Sequence, residues 1–301
     1  MFTTEYTLYF KRAEAFREHV KESMYGDSID LTCEYAVSRE PVAFKDRLSL
    51  RYQPIHEGEK WGESWESAWL RLTATVPESF EGKELVLLYD TGGESLIFDA
   101  SGTPVYALTG GSVFAENFAK SRYVIGRKKA GESLEFWIES AANMLFGLVL
   151  DSGNLHPQHP YGYFAGMLKT AKLAVFRREI WNLFLDLDIA IEIVKGLPEN
   201  DYRRHRFVRI LSNAANAYNE TPANAEKARE ILKGILSLRA ADSAMTAHAV
   251  GHAHIDSGWL WPVRETIRKC ARTFAAQIDL IEKYPDYIFG ASAAQHYAFT
   301  K

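Results

Sequence analysis

Hydrophobic and polar residues alternate through the middle of the chain with the period of two that is typical of β-strands. In AWLRLTATVP the apolar residues Trp69, Leu70, Leu72 and Val76 are interspersed with polar ones. KELVLLYD and SLEFWIES have the same character, and TGGE and ASGTP interrupt the run with turn residues. Short strands joined by such turns predict an antiparallel β-sandwich over residues 60–170.

A helical period replaces this alternation on either side of the sandwich. RAEAFREHVKESMY predicts a helix within the N-terminal helix and extended segment, residues 1–59. After residue 170 the apolar positions that fall on one helical face are Leu173, Phe176, Ile180, Leu183, Leu187 and Ile191. Two further helices are predicted, over 201–219 and in ANAEKAREILKGILSLRA, so residues 171–241 form a helical linker layer.

The last sixty residues predict a strand, a long amphipathic helix and a second strand. TAHAVGHAHID has the character of a strand, and residues two apart on a strand share a face, so His252, His254 and Asp256 point the same way. Pro262 is suited to the start of the helix that follows. A βαβ unit implies a parallel sheet whose functional groups gather at the carboxyl ends of its strands. His254 and Asp256 occupy that end of the first strand.

These segments together predict an α+β chain of several domains. Residues 242–301 are expected to begin an incomplete α/β barrel, because one βαβ unit cannot cover both faces of its parallel strands. Val250, Ile255, Ile288 and Phe289 are therefore expected to lack packing partners. We interpret the chain as the N-terminal fragment of a longer protein.

Composition excludes several classes of protein. With 47% hydrophobic and 25% charged residues in 301, the chain has a globular composition. A net charge of -4 and a pI near 6.2 provide no basic surface for nucleic acid or an anionic membrane. The start lacks the apolar run of a signal peptide, and no stretch approaches the roughly 18 apolar residues of a membrane helix. Two cysteines exclude a disulfide framework and favour the cytoplasm.

The His254-x-Asp256 spacing is the strongest chemical signal in the sequence. Zinc accepts imidazole nitrogen and carboxylate oxygen, and a catalytic zinc keeps one position open. The spacing by itself favours a hydrogen-bonded pair in the core over a metal site. His248 and His252 are interpreted as structural, and Trp259 and Trp261 as core or interface aromatics.

Two other groups of polar residues have a structural interpretation. Arg264, Glu265 and Arg268 fit a solvated helix face. Glu94, Glu139 and Asn143 lie in the predicted sandwich, where isolated polar residues are mostly found in turns or at the surface. From the sequence alone neither group indicates a site.

GHAHIDSGWLWPVRETIRKCARTF, followed by YPDYIFGASAAQHYAFTK, resembles the opening of the catalytic domain in glycoside hydrolase family 38, the zinc-dependent retaining α-mannosidases. YDTGGESLIFDASGTPVYALTGG and IESAANMLFG are similar to the N-terminal β domain of the cytosolic and bacterial branch of that family.

The resemblance implies an exo-α-mannosidase that removes terminal mannose from oligosaccharides. It implies that His254 and Asp256 bind one divalent metal, zinc or another ion, and that Trp259 shapes the sugar pocket; His252 matches no ligand. Retaining hydrolysis requires a nucleophilic carboxylate and an acid/base about 5 to 5.5 Å apart. No residue of this chain matches either of them, so we expect these 301 residues to be inactive by themselves.

A non-catalytic carbohydrate-binding or assembly module is the alternative. Trp61, Trp65 and Trp69 are its candidates for stacking on a sugar, although their positions in alternating strands favour the core. Association of the chain into a homo-oligomer stays open.

Overall fold

The computed structural model describes residues 2–110, 119–143 and 164–301, so the end of IESAANMLFG lies outside the described residues. The contacts divide the chain into two compact units. One combines Met1–Ser28 with Val175–Ala247, and the other combines Ile29–Ala174 with His248–Lys301. Each unit joins segments that are distant in sequence, whereas the sequence pattern predicts four consecutive parts. The boundaries of those four parts stay a prediction.

Four helices form the first unit: α1 (Phe2–Glu22), α2 (Arg178–Gly196), α3 (Tyr202–Ala217) and α4 (Pro222–Leu236). Each buries an apolar stripe in one shared core, to which Phe16, Leu187, Leu211 and Leu232 contribute. Asp201 and Thr221 cap α3 and α4 by accepting hydrogen bonds from backbone N–H groups. The helical layer predicted for residues 171–241 therefore contains three helices, and α1 packs with them.

The prediction that Leu173 and Phe176 lie on a helical face is wrong. Leu173 and Phe176 belong to a strand, Thr170–Phe176, and α2 begins only at Arg178. In TAKLAVF the buried positions alternate, apart from one adjacent pair, as they do in a strand. A short run of apolar residues fits both periods, and its packing partners decide between them.

The β-strands of the chain belong to several sheets. The strand bounds are β1 Tyr25–Asp30, β2 Thr32–Ser38, β3 Gln53–Pro54, β4 Lys60–Trp61, β5 Ser67–Thr75, β6 Glu84–Asp90, β7 Glu94–Phe98, β8 Pro104–Thr109, β9 Arg122–Arg127, β10 Ser133–Ala141, β11 Gly166–Met167 and β12 Thr170–Phe176. A six-stranded sheet has the order β3-β2-β5-β10-β7-β8 and a four-stranded sheet the order β1-β12-β6-β9. Strands β4 and β11 form a separate pair.

Antiparallel pairing confirms the predicted sandwich. Strand β10 pairs antiparallel with β5 and β7, and β6 pairs antiparallel with β9. Leu70, Leu72 and Ile138 are fully buried. A hydrogen bond of 2.7 Å between the Tyr89 and Ser140 hydroxyls joins β6 of one sheet to β10 of the other. Residues Ile29–Ala174 are called the β domain below.

The predicted βαβ unit follows in the same compact unit as the β domain. Strand β13 (Gly251–His252) pairs in parallel with β14 (Phe289–Gly290), with α5 (Val263–Lys283) between them and α6 (Ala294–Phe299) after them. The first strand is much shorter than predicted, because among the described residues β14 is its only neighbour. Val250 and Ile288 are exposed, as expected for an uncovered strand pair.

Helix α5 buries mainly the face opposite its apolar stripe; of the stripe residues Val263, Ile267, Cys270, Phe274, Ile278 and Ile281, only Cys270 is buried. Val263, Ile267, Ile278 and Ile281 are exposed to between 37% and 56%. The buried side chains are instead Glu265, Thr266, Arg268, Cys270, Arg272 and Ala275. The interpretation of Glu265 and Arg268 as a solvated face is therefore wrong. None of the helices in the described part of the chain is long and apolar enough to cross a membrane.

Candidate functional site

His254 and Asp256 lie in the loop that leaves the carboxyl end of β13. Residues 253–256 have no regular secondary structure, yet the side chains of His254 and Asp256 lie close enough to contact each other. His254 Nε2 lies 3.1 Å from Asp256 Oδ1, and the two side chains are 80% and 42% exposed. Solvent therefore reaches a paired imidazole and carboxylate at the position that the sequence predicts. No third His, Cys, Asp or Glu of the described residues joins them into a metal-binding group.

The rest of this loop is held by specific contacts. Gly258 has a φ of +85°, a left-handed conformation that favours glycine. Ser257 Oγ lies 2.8 Å from Nε2 of the buried His296 on α6. Trp259 is 59% exposed and contacts the Trp261 ring edge-to-face, with 5.5 Å between centroids. Of the two tryptophans, Trp259 presents more of its ring to solvent.

A cavity of about 380 Å³ opens beside His254. Helix α5 lines it with Lys269 and Arg272, strands of the β domain line it with Glu94 and Leu108, and Trp261 of the loop also lines it. The Lys269 ammonium lies 4.7 Å from the centroid of the Trp261 ring, within range of a cation–π interaction. The β domain thus contributes directly to the surroundings of His254.

Three carboxylates and three cations, called the charge cluster here, join α5 to the β domain; they are Glu94, Glu139, Glu265, Arg268, Lys269 and Arg272. Arg268 Nε lies 3.2 Å from Glu139 Oε1, and Arg268 Nη2 donates to the Ser140 carbonyl at 3.2 Å. Lys269 Nζ donates to Glu94 Oε1 at 2.7 Å. The cluster balances its charges, which burial requires.

Glu265 is the centre of this cluster. It is fully buried and contacts the guanidinium groups of Arg268 and Arg272. Asn143 donates to Glu265 Oε1 at 3.1 Å and accepts from the Glu94 N–H at 2.9 Å. The interpretation of Glu94, Glu139 and Asn143 as turn or surface residues is therefore wrong, because all three pair with α5 or support that pairing.

Charge pairing changes two ionisation equilibria in the cluster. Burial raises the pKa of Glu94, but Arg272 and Lys269 together outweigh it and lower this pKa from 4.5 to about 2. Burial lowers the pKa of Arg272, whereas Glu265, Glu94 and Glu139 raise it, and the net change is upward. Both groups stay ionised over the neutral range.

We predict acid destabilisation that depends on Glu94. The folded-state pKa lies below the unfolded value, so the contribution of Glu94 to stability is complete above about pH 4.5 and is lost as the pH falls towards 2. The wild-type chain should therefore have a higher urea unfolding midpoint than Glu94→Gln at pH 6, and this difference should become smaller at pH 4 and at pH 3. A difference that stays constant over this range would contradict the prediction.

The sequence contains a signal for the cluster that the apolar pattern obscures. Glu265, Arg268, Lys269 and Arg272 are spaced three, four and seven residues from the first, which places them on one helical face. Their carboxylate partners lie in otherwise apolar strands such as FWIES. Charged residues on one face of a helix and carboxylates in apolar strands predict buried ion pairs only when the two segments are considered together.

The tryptophans of the alternative function are not available to a ligand. Trp61, Trp65 and Trp69 are 1%, 6% and 2% exposed, and the Trp69 Nε1–H donates to the Val42 carbonyl. They pack the interior, so none of them presents a face on which a sugar could stack.

Comparison with known proteins agrees with this architecture. Residues 29–174 match the family model described as an alpha-mannosidase jelly roll domain, and residues 244–301 match the glycosyl hydrolases family 38 N-terminal domain. The chain is 31% identical to alpha-mannosidase 2C1 of Mus musculus over 97% of its own length and 28% of that protein. It is 31% identical to alpha-mannosidase G of Dictyostelium discoideum over 94% of the chain and 26% of that protein.

A more distant relative is the alpha-mannosidase of Saccharomyces cerevisiae, 24% identical over 95% of the chain and 27% of that protein. Among solved structures, the β-glucuronidase of Ruminococcus gnavus aligns with 50% of this chain over 28% of its own chain, with 10% identity. The TM-score of 0.31 is too low to indicate a shared fold.

The chain thus combines a segment matching an alpha-mannosidase jelly roll domain with one matching a glycosyl hydrolases family 38 N-terminal domain, and this pair of domains defines its class. The chain belongs to glycoside hydrolase family 38. It spans about a quarter of the length of the curated relatives it matches.

Proposed function

We propose that this chain forms part of a zinc-dependent, retaining exo-α-mannosidase that removes terminal mannose from oligosaccharides. The observation that carries the proposal is the His254 and Asp256 pair, which lies in solvent at the end of β13 within the segment that matches family 38. The relatives named above are α-mannosidases, which supports the same substrate class for this chain.

The chemistry and the spacing of the pair fit a divalent metal. Zinc bonds to imidazole nitrogen and carboxylate oxygen are about 2.0 to 2.2 Å long, so two ligand atoms of a tetrahedral site lie about 3.3 Å apart. The observed separation of His254 Nε2 and Asp256 Oδ1 is 3.1 Å. A metal could therefore replace the hydrogen bond between them with little movement of either side chain. The remaining ligands would have to come from other parts of the protein.

Each proposed group has a separate task. A bound zinc supplies a Lewis acid for the hydroxyl oxygens of a sugar. His254 and Asp256 hold it, and the exposed Trp259 provides an apolar face against which the pyranose ring packs. The nucleophile and the acid/base are proposed to lie outside residues 1–301. Two unpaired, buried cysteines are compatible with the cytoplasm, where we propose that the protein acts.

The proposal predicts metal-dependent hydrolysis by a polypeptide in which this chain continues into the rest of the family 38 domain. Such a protein should release nitrophenol from 4-nitrophenyl α-mannoside. Dialysis against a chelator should remove the activity, and added zinc should restore it. Activity that survives complete metal removal would contradict the proposed role of zinc.

Residues 1–301 by themselves provide the control for this assay. With two of the metal ligands and neither catalytic carboxylate, they should show no turnover in the presence of added zinc or cobalt. Turnover by this chain would contradict the proposal that the nucleophile and the acid/base lie outside residues 1–301.

A further inference from the structure

The Thr266 side chain uses its whole hydrogen-bonding capacity on the loop that carries Asp256. Its hydroxyl donates to the Asp256 carbonyl at 3.3 Å. It accepts from the Gly258 N–H at 3.0 Å and from the Trp261 Nε1–H at 3.1 Å. A hydroxyl has one donor and two acceptor positions, so all three are directed at one segment of six residues. Thr266 is fully buried, which makes these bonds costly to lose.

The helix that carries Thr266 is fixed by the β domain. Glu265, the preceding residue, is the centre of the charge cluster, and Arg268 two residues later contacts Glu139 and the Ser140 carbonyl. Thr266 therefore lies between two residues that anchor the first turns of α5. A continuous set of contacts runs from the β domain through α5 and this hydroxyl to the backbone of Asp256.

We propose that Thr266 is a positioning residue for the His254 and Asp256 pair, and that it transmits to this pair the position that the β domain imposes on α5. The inference rests on the proposed function in that the pair is taken to bind a divalent metal. It adds a task for the β domain, which supports the geometry of the metal-binding loop through one side chain.

The contribution of the hydroxyl can be separated from that of packing. Thr266→Val keeps the shape of the side chain and removes its hydrogen bonds, whereas Thr266→Ser keeps the hydroxyl and removes a methyl group. The contact between Ser257 and His296 still holds the loop from α6 in both variants. Loss of the hydroxyl should therefore loosen the loop without unfolding it.

The test uses residues 1–301 and two readouts. Amide hydrogen exchange over residues 256–261 reports the order of the loop without metal. Zinc chloride titration, followed by the NMR signals of the His254 ring, gives the apparent metal affinity. Outer-shell partners of metal ligands typically change metal affinity about 10- to 100-fold. Thr266→Val should accelerate exchange and weaken zinc binding about tenfold, and Thr266→Ser should restore both.

A matched control is Thr273→Val, seven residues further along α5. Among the described residues Thr273 makes no hydrogen bond to 256–261, so this variant should behave as the wild-type chain does. Unchanged exchange and unchanged zinc affinity in Thr266→Val would overturn the proposed positioning. If the NMR signals of the His254 ring in the wild-type chain do not change on addition of zinc, the proposed metal site is contradicted. The exchange measurement would then still show whether Thr266 holds the loop.

Discussion

Replacing His254 by alanine should lower kcat/KM for an aryl α-mannoside by about 10³ in the longer protein that carries this chain. The loss of a ligand weakens metal binding and moves the positive charge of the metal away from the sugar hydroxyls. This charge contributes several kcal/mol to transition-state stabilisation. Each 1.4 kcal/mol corresponds to about a factor of ten in rate. Metal content after gel filtration should fall together with activity. Asp256→Ala should have the same effect, because it removes the other member of the pair.

His252 provides the matched control for this prediction. It is exposed, lies two residues before His254 and belongs to β13. His252→Ala should retain metal and activity within about twofold, so a loss in both histidine variants would indicate general disruption of the strand. Full activity in His254→Ala would exclude the proposed metal ligand.

The second large effect is expected from Glu265→Ala. This change leaves Arg268 and Arg272 buried with one neutralising carboxylate fewer, and breaking a buried ion pair from one side typically costs about 3 to 5 kcal/mol. Helix α5 should lose its attachment to the β domain. Amide hydrogen exchange should therefore rise along the whole helix, and the urea unfolding midpoint should fall.

Glu282 on the same helix is exposed and provides the control, since Glu282→Ala should leave both measurements nearly unchanged. Slow exchange of α5 in Glu265→Ala would show that apolar contacts hold the helix and that the charge cluster contributes little.

The β domain could be predicted from the sequence because apolar and polar residues alternate along its strands and turn residues separate them. Leu70 and Leu72 are buried on β5, as the alternation predicts. The boundary at Leu173 and Phe176 could not be predicted, because a short apolar run fits both a strand and a helix until its partners are known.

The pair of site residues was predictable in position for a physical reason. Residues two apart on a strand share a face, and His254 Nε2 still lies 3.1 Å from Asp256 Oδ1 although β13 ends at His252. Their role was not predictable from the spacing, because a hydrogen-bonded pair and a half-formed metal site have the same sequence signature.

The charge cluster shows the limit of single-segment patterns. Glu139 in a strand and Arg268 in a helix each fit a surface position when considered separately. Burial of both is tolerated only because the fold brings their charges within 3.2 Å of each other across about 130 residues of chain. Tertiary pairing of this kind is not encoded in the periodicity of either element.

X-ray absorption at the zinc edge tests the central claim most directly. Zinc bound to the longer protein should have nitrogen and oxygen neighbours at about 2.0 to 2.2 Å, with the outer-shell scattering of imidazole. In His254→Ala saturated with added zinc the imidazole contribution should decrease by one ring, while the control His252→Ala keeps the wild-type spectrum. A spectrum that is identical in wild-type protein and His254→Ala would show that His254 does not bind the metal and would contradict the account.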